Sequence, residues 1–463
     1  MNIRIKFLGA AKTVTGSKYL LDIDNLRLLV DCGLFQGVRD LRERNWNEFP
    51  IDPKTINAVV LTHAHIDHSG YLPRLVRQGF SGPIYCTEAT ADLLEVMLLD
   101  AAKLQEEEAE WAHKKGYSRH SSPQPLFTIE DAKKALSMLQ GHPYEKSVHL
   151  NSKVEIVFSD AGHILGSSIV SMQIAGNEQM KKIIFSGDLG PANHPVLHPS
   201  KKLQEADIIL VESTYGNREV KTENPILLFQ EIINETLQND GCLLIPSFAV
   251  GRTQAILYYL KQLLEQGLIP NVPVYIDSPM AISATALYRK HHEYHKLKKA
   301  DSPSIFDYKN FHYLQPQDAS VALNNVTKNA IIISASGMCA GGRILHHLYH
   351  RLPRENDTVL FVGYQAEGTR GRKILEGDEF VSIFGQHVPI KCNIRKLNGF
   401  SAHGDKTEIL DWLRHFTNPP KRTFIVHGEA ESSYQLARSI RKMEWKNVIV
   451  PEYLESFQLF EHI

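Results

Sequence analysis

Short apolar runs alternate with polar residues over the first 60 positions, as in RIKFLG, KYLLDI and LRLLVDCG. A repeat of two residues is typical of β-strands with one buried face. From about residue 88 to 140 the apolar positions take helical spacing instead, in TADLLEVMLLDAAKLQEEEAEWAHKK and TIEDAKKALSMLQ. Strand patterns return in KVEIVFSDAGH, SSIVSMQIAG, KKIIFSGDLG and ADIILVESTYG. This part of the chain therefore predicts strands on either side of a helical segment.

The pattern changes after about residue 215, where strand, loop and helix follow one another. Examples are GCLLIPSFAVGRTQAILYYLKQLLEQG and NAIIISASGMCAGGRILHHLYHRL. Strands that alternate with helices predict a parallel sheet covered by helices, so we interpret residues near 210–380 as a second α/β unit. Within it, RKHHEYHKLKK at 289–299 predicts an exposed basic helix, because His291 and His295 lack a carboxylate at metal-ligand spacing.

Composition narrows the class of protein. The 463 residues are 43% hydrophobic and 22% charged, with a net charge of −1, so nucleic acid would have to bind in a local groove. The five cysteines are scattered singly, which is typical of a reduced compartment. The N-terminus shows no signal-peptide pattern, and no apolar run reaches the roughly 18 residues that a membrane span needs. We therefore expect a cytoplasmic protein without a membrane partner.

Several apolar strands end directly in a polar residue, as in LLVDCG, VVLTHAH, SDAGH, IFSGDLG, ILVES and TFIVHGE. The carboxyl ends of strands are where α/β proteins build their sites. The six strand ends are therefore expected to converge on one edge.

The stretch LTHAHIDHSG concentrates four ligand-type side chains within six positions: His63, His65, Asp67 and His68. A single histidine here would most simply be a surface residue, but four such groups favour a metal site, since imidazole and carboxylate are ordinary zinc ligands. Three further candidates end a strand and enter a glycine-containing turn: His163, Asp188 and His427. Seven ligands suffice for two metal ions, and Asp188 is the natural carboxylate bridge.

The motif HxHxDH, followed by a later His, Asp and His, resembles the metallo-β-lactamase superfamily. The resemblance implies an αββα sandwich with its metal site at one edge of the two sheets. It assigns one zinc to His63, His65 and His163. It assigns the other zinc to Asp67, His68 and His427, with Asp188 bridging both. Asp31 in DCG matches a carboxylate that orients the site from outside, although a strand-end cap is a fair alternative.

The spacing selects a branch of that superfamily. Asp188 and His427 lie 239 positions apart (427 − 188), an excess of about one domain. This resembles the β-CASP nucleases, which carry a cap domain inserted into the hydrolase fold. VESTYGNR then supplies the acidic motif at Glu212, and FSAHGD supplies the histidine motif at His403. The last motif, VHGE, has histidine in the RNA-processing members and typically valine in the DNA-processing members.

The resemblance implies three segments: a first metallo-β-lactamase part at 1–209, an α/β cap at 210–384, and a second metallo-β-lactamase part at 385–463. The chain is similar to the minimal bacterial form, without the extensions of other branches. Members of the other branches that share these motifs include the endonuclease subunit of the mRNA 3′-end cleavage factor. Whether the protein forms a homo-oligomer is left open.

The implied activity is that of a zinc-dependent ribonuclease with two Zn²⁺ per chain. It would cut single-stranded RNA with a hydroxide formed at the zinc pair, endonucleolytically, with a 5′ exonuclease mode left open. Asp67 would ligate zinc and accept a hydrogen bond from the attacking water. His403 would be the general acid, with Glu212 stabilising its protonated form.

The glycine-rich turn SASGMCAGGR lies between a predicted strand and a predicted helix. Backbone N–H groups of such a turn suit a phosphate, although a plain tight turn is the alternative. The expected substrate contacts are Arg252, Ser336, Gly337, Gly341, Gly342 and Arg343. Arg370 and Arg372 lie beside similar turns.

Three other functions are weighed against this one. A thioesterase or lactamase of the same fold is disfavoured by the large insertion and by Glu212 and His403. A DNA nuclease is disfavoured by His427. A non-catalytic RNA-binding scaffold is disfavoured because all seven ligand positions are intact.

Overall fold

The computed structural model of this protein describes residues 1–115, 123–176, 179–219, 224–297, 305–363, 365, 367–397 and 399–461. The chain divides into two compact units. The first contains Met1–Asn193, His198–Glu219 and His403–Ile463, and the second contains His194–Leu197 and Val220–Ala402. The strand that ends at Glu212 thus lies in the first unit, whereas the sequence placed the start of the cap at residue 210.

The first unit holds two seven-stranded sheets. One of them has the order β22-β1-β2-β3-β4-β5-β6. Its strands are β1 Ile3–Phe7, β2 Tyr19–Ile23, β3 Leu26–Val30, β4 Ala58–Val60, β5 Ile84–Thr87, β6 Leu139–His142 and β22 Ser456–Phe460. In β1 the side chains of Ile3, Ile5 and Phe7 are buried while Arg4 is exposed, which is the alternation that RIKFLG predicts.

The other sheet has the order β21-β20-β11-β10-β9-β8-β7. Its strands are β7 Ser147–His149, β8 Val154–Asp160, β9 Ser168–Ala175, β10 Met180–Phe185, β11 Ile208–Glu212, β20 Arg422–Val426 and β21 Val448–Ile449. Strands β10, β11, β20 and β21 run parallel. Side chains from both sheets share one core, in which the rings of Phe7 and Phe424 lie 5.0 Å apart.

Helices cover this pair of sheets. They are α1 Arg39–Glu43, α2 Ile66–Ser69, α3 Leu72–Arg77, α4 Glu88–Lys115, α5 Ile129–Leu136, α12 Lys406–Leu413 and α13 Ala430–Arg441, with a 3₁₀ turn at Pro53–Thr55. Trp412 of α12 and Leu436 of α13 pack with Ile184 and Ile209 from the other face of the second sheet. Helix α4 contacts β5 and β6 of the first sheet. Helices therefore pack on the outer side of each sheet, as the predicted αββα sandwich requires.

The second unit contains a parallel sheet of order β14-β13-β15-β12-β16-β19 and a separate hairpin, β17-β18. The strands are β12 Cys242–Pro246, β13 Val274–Ile276, β14 Phe311–Tyr313, β15 Ala330–Ser334, β16 Thr358–Phe361, β17 Phe380–Ile383, β18 Gln386–Pro389 and β19 Asn393–Lys396. The strand–helix alternation in the sequence predicted this parallel sheet.

The helices of the second unit follow its strands. They are α6 Pro225–Gln238, α7 Arg252–Glu265, α8 Pro279–Lys290, α9 Gln317–Ala322, α10 Arg343–Arg351 and α11 Arg370–Glu376, with 3₁₀ turns at His292–Tyr294 and Leu323–Asn325. Helix α8 ends at Lys290, and His295 is buried with its Nε2 donating to the carbonyl of Tyr288 at 2.9 Å. The predicted exposed basic helix over 289–299 is therefore wrong for the described part, since residues 298 and 299 lie outside it.

The strand ends of the first unit determine where polar side chains meet. Asp31 follows β3, His63 follows β4, His163 follows β8 and Asp188 follows β10. Glu212 is the last residue of β11, and His427 follows β20 directly. In the described part of the chain, no helix is both long and apolar enough to cross a membrane.

Candidate metal centre and proton donor

The histidine motif begins after β4 and continues into the single turn of α2. His65 stands at the N-terminal cap position of α2, Asp67 lies in its first turn, and His68 lies in its last. The backbone of Gly33 packs directly against this turn: a Cβ there would lie 1.6 Å from the carbonyl oxygen of Asp67. Close packing of Gly33 therefore fixes the turn and the ligand-type side chains that it carries.

One group of ligand atoms comes from His63, His65 and His163. The Nδ1 of His65 lies 3.2 Å from the Nε2 of His63 and 3.0 Å from the Nε2 of His163. With one oxygen of Asp188, these nitrogens form a set whose atoms all lie within 4.8 Å of one another. This is the set that the sequence assigned to one metal.

A second group comes from Asp67, His68 and His427. The Nε2 of His427 lies 3.0 Å from the Nε2 of His68 and 3.3 Å from an oxygen of Asp67. These atoms again lie within 4.8 Å of one another. The structure thus brings together residues that are 360 positions apart in the chain.

Asp188 faces both groups. Its Oδ2 lies 3.5 Å from the Nε2 atoms of His63 and His163, and its Oδ1 lies 3.3 Å from the Nε2 of His68. The Oδ1 is buried and accepts no hydrogen bond from any described residue. A buried carboxylate oxygen that is left unpaired costs free energy, and a cation at this point would satisfy it.

The protonation states of His63, His65 and Asp67 also fit metal ligation. Burial lowers the pKa of His63 well below the usual histidine value, and it lowers the pKa of His65 to about 4. Burial raises the pKa of Asp67, but a hydrogen bond from His427 and nearby imidazoles outweigh it and bring that pKa to about 2. Neutral imidazoles and ionised carboxylates are the forms that bind zinc.

Four outer hydrogen bonds join Asp31 and Thr62 to each other and to the histidines. Asp31 accepts from the backbone N–H of Thr62 at 2.8 Å and from the Nδ1 of His68 at 2.8 Å. The Thr62 hydroxyl donates to Asp31 and lies 3.0 Å from the Nδ1 of His63. The Nδ1 of each imidazole therefore has an oxygen partner outside the ligand group, and its Nε2 faces Asp188. Asp31, for which the family resemblance implies an orienting role, contacts His68, and Thr62, which the sequence did not single out, contacts His63.

Thr214 serves His427 in the same way. Its hydroxyl donates to the carbonyl oxygen of His427 at 3.1 Å and lies 3.1 Å from the Nδ1 of that imidazole. Metal ligation through Nε2 would place the imidazole proton on Nδ1, where the Thr214 oxygen can accept it. The sequence analysis also missed Thr214, although it directly follows the ES of the acidic motif.

His403 and Glu212 meet beside these ligand groups. The Nδ1 of His403 lies 3.2 Å from Glu212 Oε1 and 3.9 Å from Asp188 Oδ2. Burial alone would lower the pKa of His403. The Glu212 charge and hydrogen bond, with the charges of Asp188 and Asp67, outweigh burial and raise it to about 9. The imidazole thus carries a proton at neutral pH.

The carboxylate of Glu212 is itself held in place. Its Oε1 accepts from the backbone N–H of Leu189 at 2.7 Å, and its Oε2 accepts from that of Thr214 at 3.3 Å. The side chain is fully buried. These backbone donors hold the carboxylate in place beside the imidazole of His403.

The predicted substrate contacts lie in the second unit. Arg252 begins α7 and is 8% exposed, and the glycine-rich turn that contains Ser336 and Gly337 links β15 to α10. The side chain of Arg343 donates to Asp277 at 2.7 Å and to the carbonyls of Leu314 and Gln315 at 2.8 and 2.6 Å. These contacts anchor Arg343 to its own unit.

Three successive backbone carbonyl groups of the glycine-rich turn accept hydrogen bonds. The carbonyl of Gly337 accepts from Gln365 Nε2, that of Met338 accepts from the N–H of Gly371, and that of Cys339 accepts from Arg370. Gly342 has φ 80°, and a Cβ added at Gly341 would meet nothing within 4 Å. The turn therefore has open space at Gly341 and engaged carbonyls on three successive residues.

Comparison with known proteins agrees with this fold and site. The description "Metallo-beta-lactamase superfamily" matches residues 13–223, "Beta-Casp domain" matches residues 253–374, and "Zn-dependent metallo-hydrolase RNA specificity domain" matches residues 387–451. A crystal structure of a protein of unknown function from Enterococcus faecalis matches with a TM-score of 0.56 and 12% identity, over 99% of this chain and 100% of that one, which concerns the fold alone.

Curated relatives match over nearly the whole chain. Ribonuclease TTHA0252 of Thermus thermophilus is 38% identical over 94% of this chain and 95% of its own length. An RNase J-like protein of Methanocaldococcus jannaschii is 30% identical over 98% of both chains. Transcription termination factor FttA of the same organism is 30% identical over 99% of this chain and 72% of its own length.

Together, the paired sheets, the ligand cluster and these matches define a zinc-dependent metallo-hydrolase. The chain belongs to the metallo-β-lactamase superfamily, in the branch that carries a β-CASP domain.

Proposed function

We propose that this protein is a ribonuclease that hydrolyses phosphodiester bonds of single-stranded RNA at a centre holding two zinc ions. The observation that carries the proposal is the position of Asp188 between two ligand groups, with protonated His403 beside it. The groups would be His63, His65 and His163 for one ion, and Asp67, His68 and His427 for the other. The relatives' names and the matched RNA specificity domain support RNA as the substrate.

The residues divide the reaction between them. Bound zinc would supply an acidified water and offset the negative charge of the phosphodiester. The carboxylate of Asp67, held ionised, accepts a hydrogen bond from the attacking water and orients it. His403 gives its proton to the leaving 3′-oxygen, and Glu212 holds that proton on the imidazole until transfer. The products are a 3′-hydroxyl and a 5′-phosphate.

His427 favours RNA over DNA as the substrate, because the resemblance gives histidine at this position to the RNA-processing members. A non-catalytic scaffold has less support, since the ligand-type groups converge and the Nδ1 of His403 lies 3.2 Å from Glu212. Whether the cut is internal or starts from a 5′ end depends on how the strand enters the site.

The test is incubation of the zinc-loaded protein with end-labelled RNA and with DNA of matched sequence. We expect RNA to be cut much faster, with products that end in a 3′-hydroxyl and a 5′-phosphate. Added salt should weaken RNA binding, because phosphate contacts release counterions. Equal or faster cutting of DNA would show that the protein is a DNA nuclease. RNA binding without cleavage would favour a non-catalytic RNA-binding scaffold.

A further inference from the structure

The turn after β11 carries two side chains that neither bind metal nor donate a proton: Tyr215 and Arg218. The ring of Tyr215 contacts the His403 ring edge to face, with 5.7 Å between centroids and 75° between planes. The guanidinium of Arg218 lies 5.1 Å from the centroid of the Tyr215 ring. Tyr215 is partly exposed and Arg218 is exposed. An aromatic ring and a cation therefore stand together next to the proton donor.

The backbone holds this pair firmly. The N–H of Ser213 donates to the carbonyl of His427 at 3.2 Å, and the N–H of Lys406 donates to the carbonyl of Arg218 at 2.9 Å. A Cβ on Gly216 would lie 2.8 Å from the Cβ of Leu436, so the turn packs closely on α13. A turn fixed at both ends presents its side chains in a prepared arrangement, which reduces the entropy that binding costs.

The pair has the chemistry of a nucleotide subsite. Aromatic rings stack on bases regardless of sequence, and arginine pairs with phosphate oxygens through its planar donors. Its place beside His403 selects which nucleotide it meets. His403 protonates the 3′-oxygen that leaves, and this oxygen belongs to the nucleotide immediately 5′ of the broken bond.

From this placement, we infer that Tyr215 and Arg218 bind the nucleotide immediately upstream of the scissile bond. The Tyr215 ring stacks on its base, and Arg218 pairs with the phosphate on its 5′ side. The inference rests on the proposed function, since it needs RNA in the site and His403 as the proton donor. It adds the residues that hold the leaving nucleotide still during proton transfer.

The test combines protein variants with an RNA that is cut at one defined bond. The base of either the upstream or the downstream nucleotide is removed, and kcat/KM is measured for the wild type and for Tyr215→Ala. Loss of the upstream base should lower wild-type kcat/KM by about 5- to 100-fold, the usual effect of one stacked base. Tyr215→Ala should lose a similar factor on intact RNA and then be insensitive to the missing base.

Conservative and control variants separate stacking from support of His403. Tyr215→Phe should keep the wild-type response to the abasic position, and Tyr215→Leu should lose it while preserving bulk in the turn. Tyr453, whose ring pairs with Arg44 at 4.3 Å in the same unit, provides a matched control. Tyr453→Ala should respond to the abasic position as the wild type does. Arg218→Ala should reduce the salt dependence of RNA binding by about one phosphate contact.

Zinc content and thermal melting of each variant show whether the turn and the site remain intact. Persistent sensitivity to the upstream base in Tyr215→Ala and Tyr215→Leu would overturn the inference. So would coupling to the downstream base instead. In both cases wild-type cleavage of RNA would leave the proposed function standing, whereas failure of the wild type to cut any RNA would remove both.

Discussion

The Nε2 atoms of His68 and His427 face each other at 3.0 Å. The Nδ1 of His68 is committed to Asp31, and the Nδ1 of His427 is committed to the Thr214 hydroxyl. Both Nε2 atoms therefore face one point, which an oxygen of Asp67 also faces. Burial would lower the pKa of His68, but the charges of Asp188 and Asp31 outweigh it and raise that pKa well above its usual value, so a metal ion ligated by both rings would take the place of a proton. The outer hydrogen bonds therefore prepare the site for a metal ion.

Asp188→Ala should lower the metal content of both positions together. We expect about two zinc ions per chain in the wild type and well under one in the variant, because Asp188 contributes an oxygen to each ligand group. Elemental analysis of protein purified without chelator provides the measurement. The control is Asp160→Asn, which removes a nearby carboxylate that ends β8 and accepts from the N–H of Gly162 at 2.8 Å. Full zinc content in Asp188→Ala would contradict the bridging role.

Thr214→Val should weaken zinc binding by about 10- to 100-fold, the usual effect of losing an outer hydrogen bond to a ligating histidine. Valine preserves the shape of threonine but cannot accept from the Nδ1 of His427, so the imidazole is free to take the wrong tautomer. Thr214→Ser keeps the hydroxyl and should retain most of the affinity. Competition with a chromogenic chelator measures this without any activity assay. Equal affinity in the valine and serine variants would show that the hydroxyl does not set the tautomer.

His163, Asp188 and His427 could be predicted from the sequence because each follows a short apolar strand. The other four share one turn. A motif with four ligand-type residues within six positions can be recognised without knowledge of the fold. Their outer partners could not be predicted. Thr214 and His427 are 213 positions apart, and a threonine after a strand has many ordinary explanations.

Contacts formed in the folded chain also determine where charged and titratable side chains lie. Arg343 stood beside a glycine turn and suggested an open groove, yet its guanidinium contacts Asp277, 66 positions away, and two carbonyls. His295 belonged to a basic run that predicted exposure, yet it is buried against Tyr288, with 18° between the two ring planes. Both arrangements depend on how elements pack, which local pattern does not contain.

His403→Ala should retain zinc and RNA binding but lose about 10²- to 10⁴-fold in kcat, the usual worth of a positioned proton donor. The reason is that the leaving 3′-oxygen would depart without a proton. A substrate with a bridging 3′-sulfur, whose leaving group needs no proton, should recover part of the rate. Loss of zinc together with activity would instead make His403 a ligand or a structural support.

Glu212→Gln should move the alkaline limb of the pH–rate profile to lower pH. The pKa of His403 is raised to about 9, so the proton-donating form is present below that pH and is lost as the pH rises through it. Glu212, through its charge and its hydrogen bond, is the main group that opposes the effect of burial on this pKa. Glutamine keeps an oxygen for the N–H of Leu189 but removes the negative charge, so burial then lowers the pKa of the imidazole.

The profile of kcat for Glu212→Gln should be recorded between about pH 6 and 10, the range around the raised pKa. Glu219→Gln is the matched control, because that carboxylate pairs with Lys406 rather than with the imidazole, and its alkaline limb should stay in place. The 3′-sulfur substrate should remove the alkaline limb in the wild type, since no proton is then required. If the alkaline limb of the Glu212→Gln profile does not move, that limb reports the titration of another group. Glu212 would then not stabilise the protonated form of His403 during catalysis.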